Sequence, residues 1–163
     1  MIQAHTQPNR EATGAGVRME PVVISDALLP RVRPVCQDDW AYILDSWKKS
    51  YHDLGAEQHV PRHIYWPEIH ARIEALRRKP SVEFRIAADP DDSDFIWGWA
   101  CIEDKAVLHY VFVRASAQLQ GVAKLLLRDV PRPTPCTHWT VVAEAVNKKH
   151  QGAFLYEPSR RKQ

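Results

Sequence analysis

The sequence is poor in the residues that build cross-linked or metal-stapled folds. It has three cysteines, Cys36, Cys101 and Cys136, an odd number at wide spacing. Neither a disulfide framework nor a zinc pattern follows from them. It also lacks a long apolar run, the longest being Phe95–Ile102. Crossing a bilayer takes about 20 residues, far more than that run offers. The N-terminus, MIQAHTQPNREATGAG, has no hydrophobic region of the kind that opens a secreted precursor. Charge of one sign is missing too: 22 basic against 20 acidic residues leave a formal +2. So mild a balance argues against a nucleic-acid partner, whose binding rests on neutralising phosphates. A reduced, cytoplasmic protein without a membrane segment is expected. No internal repeat is present.

What remains is 163 residues, 45% hydrophobic and 26% charged. That composition is ordinary for a globular chain. Residues 1–20 are polar, without periodicity, and read as a disordered leader. Residues 21–163 read as a single domain. Arg31–Val35 suggests a short first strand, which Pro34 places at an edge or a strand end. Asp38 and Asp39 offer N-cap chemistry to a helix whose apolar residues, Trp40, Ile43, Leu44, Trp47 and Tyr51, keep helical spacing. Gly55 suits the position just past its end.

A second helix is expected from about Pro67, with Trp66, Ile69, Ile73 and Leu76 on its apolar face. Pro80 stops it. The period then changes. Val82–Ala88 alternates as a half-buried strand, Phe95–Ile102 reads as a strand buried on both faces, and Val107–Val113 follows through Glu103-Asp104-Lys105. A helix should run from Gly121 to Val130, before the stiff connector of Pro131, Pro133 and Pro135. Two readings of the last section stand. In one, Trp139–Ala143 is a strand and Asn147–Tyr156 a helix. In the other, Val141–His150 is the helix and Ala153–Tyr156 a strand. The second is preferred, because Gln151-Gly152 makes a natural helix end.

The most informative segment is Val107–Val130. A buried strand delivers Gln118-Leu119-Gln120-Gly121-Val122-Ala123 onto a helix start, a loop whose amides form an anion nest. Four histidines, His52, His59, His63 and His70, cluster in sequence. Pro61 breaks the helix their metal site would need, and no metal is expected. The tryptophans at 40, 47, 66, 97 and 99 read as packing residues, and Arg160-Arg161-Lys162 as a solvated basic tail.

This element order, with Gln118, Gly121 and Ala123 meeting a Gln/Arg-x-x-Gly-x-Gly/Ala signature, resembles the GCN5-related N-acetyltransferase (GNAT) superfamily, in particular its short phage- and prophage-type members. The resemblance runs from Arg31 to Tyr156 and implies an α+β fold: a mixed, mostly antiparallel sheet flanked by helices, with a C-terminal strand pair that is short or absent. It implies acetyl-CoA as cofactor, its pyrophosphate on the amides of Leu119, Gln120, Gly121, Val122, Ala123 and Lys124 beside Gln118. The acetyl oxygen would lie at Val111-Phe112-Val113, on the amides of Val111 and Val113. Tyr156 is then the candidate general acid, and Glu103 and His109 are candidates for the base.

The activity so implied is N-acetyl transfer to an amine acceptor. The alternatives are a catalytically weak module that binds CoA or a partner, and a phage-type enzyme that modifies nucleotides or DNA. The short C-terminal end fits either a truncated sheet or a sheet completed in a homodimer.

Overall fold

A computed structural model describes residues 29–55 and 57–162. The stretch read as a disordered leader lies outside them. The chain runs β1 (Arg31–Pro34), α1 (Trp40–Leu54), α2 (Arg62–Arg78), β2 (Val82–Ala88), β3 (Ile96–Glu103), β4 (Val107–Val113), α3 (Val122–Leu126), β5 (Thr134–Cys136), α4 (Val141–Lys149) and β6 (Phe154–Tyr156). The strands form one six-stranded sheet in sequence order. β1 to β4 pair antiparallel, whereas β4–β5 and β5–β6 pair parallel. This is the α+β class expected, a mostly antiparallel sheet flanked by helices. The last strand, β6, adds parallel to β5 as a single strand and not as half of a hairpin.

α1 and α2 cover one face of the sheet. Trp47 and Trp99 are fully buried there, their ring centroids 5.1 Å apart, with Tyr51, Tyr65, Ile69 and Ile73 around them. α3 covers the other face, where Val122 and Leu126 pack on Ala87, Ala100 and Ile102. Burying several large aromatics at roughly 25 cal/mol per Å² of apolar area supplies most of the driving force for this arrangement.

Several local expectations change. α2 begins at Arg62 and holds Pro67 inside it. Pro61 starts that helix by fixing the chain direction just before it, so Pro67 merely drops one hydrogen bond in the second turn. Tyr65, not Trp66, faces the core. Trp66 is half-exposed, with the cations of Lys48 and Arg62 over its ring. Asp39 does not cap α1 directly. It accepts from the Cys36 amide at 2.7 Å and pairs with Arg33, closing a single 3-10 turn that leads into the helix. Gly55 ends α1 in an extended conformation (φ −96°), not a left-handed one, and its N–H closes on the Tyr51 carbonyl.

β2 is buried on both faces, not half-buried. Ala87 packs under α3, and the Arg85 guanidinium on that face is satisfied by Glu83, Asp129 and the Leu126 carbonyl. That last bond also ends α3. The helix stops at Leu126 and not at Val130, because Arg85 takes the carbonyl that a longer helix would use. The proline connector contains β5, which no alternating pattern announces. In the last section the second reading is the observed one: α4, then Gln151-Gly152, then β6.

Candidate functional site

β4 is unevenly paired along its two edges. With β3 its register is continuous from Tyr110 to Val113, and the Arg114 amide donates to the Trp97 carbonyl at 2.8 Å. In an antiparallel ladder, hydrogen-bonded pairs alternate with non-bonded ones. That bond therefore fixes the parity: Tyr110 and Phe112 exchange bonds with β3, while Val111 and Val113 turn their N–H groups to the opposite edge. There β4 meets β5 at one rung, Leu108↔Cys136, followed by the Thr137 amide on the Leu108 carbonyl at 3.1 Å. Beyond that rung the chain leaves β4, and Thr140 bridges to Gly55. Among the described residues no strand fills the wedge between them.

Past Val113, β4 runs into the loop that ends at Gly121. Leu119 and Gly121 both have positive φ, +62° and +80°. Gly121 adopts it without cost, and nothing lies within 4 Å of where its Cβ would be. Leu119 is fully exposed. Its left-handed backbone carries a strain of about 1 kcal/mol. The Leu125 amide closes back on the Gly121 carbonyl. The amides from Leu119 to Lys124 precede the first intrahelical bond and have no backbone acceptor among the described residues. The Gln118 side chain folds back onto the Val113 carbonyl at 3.2 Å, so it braces the loop and does not point out of it.

Two of the candidate acid–base residues, Glu103 and His109, fall into one hydrogen-bonded group. His109 is the bulged residue of β4, where the register with β3 shifts between Cys101 and Ile102. It is buried, with Nε2 2.9 Å from Glu103 and Nδ1 3.0 Å from the Thr137 hydroxyl. Thr137 in turn lies 2.8 Å from Nδ1 of His138. Glu103 also accepts from Ser81 at 3.0 Å and Lys79 at 3.4 Å. Burial alone would raise the Glu103 carboxyl, but Ser81, His109 and Lys79 together hold it below the usual carboxylate range. Burial pushes His109 and His138 down, and the nearby Arg161 charge lowers His138 further.

Tyr156 stands apart from the histidines. It is half-exposed on β6, packed against Trp139, and reaches the group only through Arg161. That guanidinium donates to the Tyr156 hydroxyl at 3.2 Å, to the Tyr51 hydroxyl at 2.7 Å and to the Thr137 carbonyl. Arg161 is therefore no part of a solvated tail.

Between α2 and the β4–β5 junction lies a cavity of about 180 Å³, lined by Arg72 of α2 and Lys79 just past its end, together with His109, His138 and Arg161. Reading the sequence missed Arg72, Thr137, His138 and Arg161. Only His138 carried a signal, an isolated histidine beside Trp139. The other three are ordinary until the sheet brings them together. Among the described residues no three His, Cys, Asp or Glu side chains cluster to hold a metal, and no helix is long and apolar enough to cross a membrane.

No protein family and no curated protein matches the sequence. Among solved structures, the chain is similar to a transcriptional regulator from Bacillus halodurans C-125, with a TM-score of 0.41 and 12% identity. That likeness spans 78% of this chain and 79% of the other.

Proposed function

We propose that this protein is an acetyl-CoA-dependent N-acyltransferase of the GNAT type. The carrying observation is the wedge: two N–H groups, of Val111 and Val113, face a gap that no described strand fills and that leads to the open amides of 119–124. An acyl carbonyl needs donors that are already aimed, and a pyrophosphate needs a concave row of amides. When bound, acetyl-CoA supplies an activated acyl thioester. The loop amides of Leu119 to Lys124 would hold its phosphates, and Gly121 would leave room for their approach. Val111 and Val113 would hold the carbonyl oxygen through their N–H groups. Glu103 and His109 would anchor the proton path away from the amine, and Tyr156, hydrogen-bonded to Arg161, would be the proton donor.

Thermal unfolding with and without acetyl-CoA tests the reading. At about 100 times Kd a specific ligand adds ~2.7 kcal/mol, a shift of several degrees. Gly121→Glu should remove that shift, and an unmoved wild-type curve would overturn the assignment. Free-thiol release over a panel of amines then reads the transfer itself.

A further inference from the structure

Resting on the acyltransferase reading, we propose that the cavity between α2 and the β4–β5 junction binds the acceptor, and that this acceptor is a zwitterion of amino-acid size: an amine carrying a carboxylate. His138 receives the amine proton.

The lining argues for the anionic end. Arg72, Lys79 and Arg161 all border the cavity. One carboxylate, Glu57, serves both guanidinium groups, at 3.4 Å from Arg72 and 3.5 Å from Arg161, and Lys79 has Glu103 at 3.4 Å. Glu68, itself exposed, touches Arg72 at 3.7 Å. A guanidinium has five donors and an ammonium three, so these cations keep N–H groups to offer a ligand carboxylate. An acceptor whose only charge is its ammonium would meet three cations and no free acid. The size fits as well, since the cavity holds about 180 Å³. Pockets for drug-sized ligands begin at roughly 300 Å³.

The second observation is independent. Nε2 of His138 is buried without a hydrogen-bond partner among the described residues, and the ring lines the same cavity. Its protonation follows from the chain of bonds leading to it. The ionised Glu103 only accepts, so His109 must donate from Nε2. Neutral His109 then accepts at Nδ1, which takes the single proton of the Thr137 hydroxyl. With that proton used, the Thr137 oxygen accepts from His138 Nδ1–H. Nε2 of neutral His138 is left as a bare lone pair, which suits an amine N–H and is costly to leave unmatched.

The step balances. The acceptor ammonium first gives one proton to water. Its nitrogen pair then forms the C–N bond while the C–S bond breaks, the electron pair leaving on sulfur. The nitrogen passes its second proton to His138 Nε2, and the thiolate takes one from Tyr156. His138 then returns its proton to the Tyr156 phenolate through solvent. The products are the N-acetyl acid and CoA thiol, with one proton released to solvent overall. Glu103, His109 and Thr137 position His138.

Histidine-selective ¹⁵N NMR of the full chain tests this without turnover. The free protein should show His138 as the Nδ1–H tautomer. Glycine, alanine, leucine and phenylalanine are then titrated beside their carboxamides and beside putrescine. At least one free amino acid should move the His138 Nε2 resonance, with its carboxamide and putrescine binding ten-fold or more weakly. Arg72→Gln, at a partly exposed position, should erase the preference for the acid while leaving the spectrum folded. Equal binding of acid and amide, preferred binding of putrescine, an Nε2–H tautomer, or a panel that leaves His138 unmoved would overturn the inference. If acetyl-CoA shifts the melting curve in that case, the acyltransferase reading stands and only the acceptor falls. If amino acids bind but acetyl-CoA does not, the acceptor role falls together with the acyltransferase.

Discussion

Arg85 and Leu126 meet across the width of a layer: the guanidinium of Arg85, buried on β2, donates to the Leu126 carbonyl at 3.0 Å where α3 ends. The same group pairs with Glu83 and Asp129. Both acids are about half exposed, so their ion pairs contribute modestly. The carbonyl is what suffers when Arg85 is removed. Arg85→Met should cost ~1–3 kcal/mol, the penalty for one unsatisfied buried acceptor, read as a lower urea midpoint. Because the bond sets where α3 stops, the proposed binding of acetyl-CoA should weaken as well. A variant with wild-type stability would show that water replaces the guanidinium.

Gly98 is fitted to the closeness of β3 and β4. A Cβ there would meet the Phe112 carbonyl at 2.5 Å and Val122 Cγ1 at 3.3 Å. The first contact is with backbone and cannot swing away. Gly98→Ala should therefore cost ~1–3 kcal/mol as overpacking does, and push β4 at the level of Val113. Calorimetric Tm should drop, and on the proposed function the affinity for acetyl-CoA should drop with it.

Stability should fall as pH drops below neutrality. His109 and His138 both titrate lower in the folded protein than in the unfolded chain. Below the unfolded value of about 6.5, the unfolded chain binds protons that the native state refuses, so stability is lost as pH falls. Two such groups give a slope approaching ~2.7 kcal/mol per pH unit. Facing these rings are Glu103 and Lys79 at His109, and Arg161 and Arg72 at His138. Glu103, held low, extends the loss further into acid. Urea unfolding between pH 5 and 8 reads the slope, and His138→Gln should reduce it by about half.

The thiols should separate cleanly. Cys36 is exposed, while Cys101 and Cys136 are buried. Burial raises the Cys101 thiol well above its usual value and Cys136 to about 11. Since the thiolate is the reactive form, mass spectrometry after alkylation at pH 8 should find one label on the native protein and three after denaturation. A fast second label would place β5 in exchange with an open form.

Most of the architecture was legible because it is written in period. Trp40, Ile43, Trp47 and Tyr51 announce α1, and the apolar runs of β3 and β4 announce a doubly covered sheet centre. The loop at Gly121 was legible for a different reason, since a glycine between a strand and a helix has few other uses. Position-specific facts were not. Tyr65 and Trp66 are neighbours of similar character, and only the entry of the chain into α2 at Pro61 decides which faces inward. β5 hides among prolines because three residues between parallel neighbours need no alternation. Arg161 and His138 belong to the site through contacts between distant parts of the sequence, as in the bond from Arg161 to Tyr51. Local pattern carries no trace of such pairs.

The single rung between Leu108 and Cys136 divides the domain mechanically. On one side stand β1 to β4 with α1 to α3, knitted by long antiparallel ladders. On the other, β5, α4 and β6 form a smaller unit, joined to the first by that rung and the neighbouring Thr137–Leu108 bond, by the Gly55–Thr140 bridge, by His109 on Thr137, by His138 packed on Trp47, Tyr51 and Tyr110, and by the reach of Arg161. Amide protons of the smaller unit should exchange with solvent through openings that leave the larger one intact. The wedge and the cavity both straddle this seam, so whatever binds there fastens two pieces of unequal stability into one.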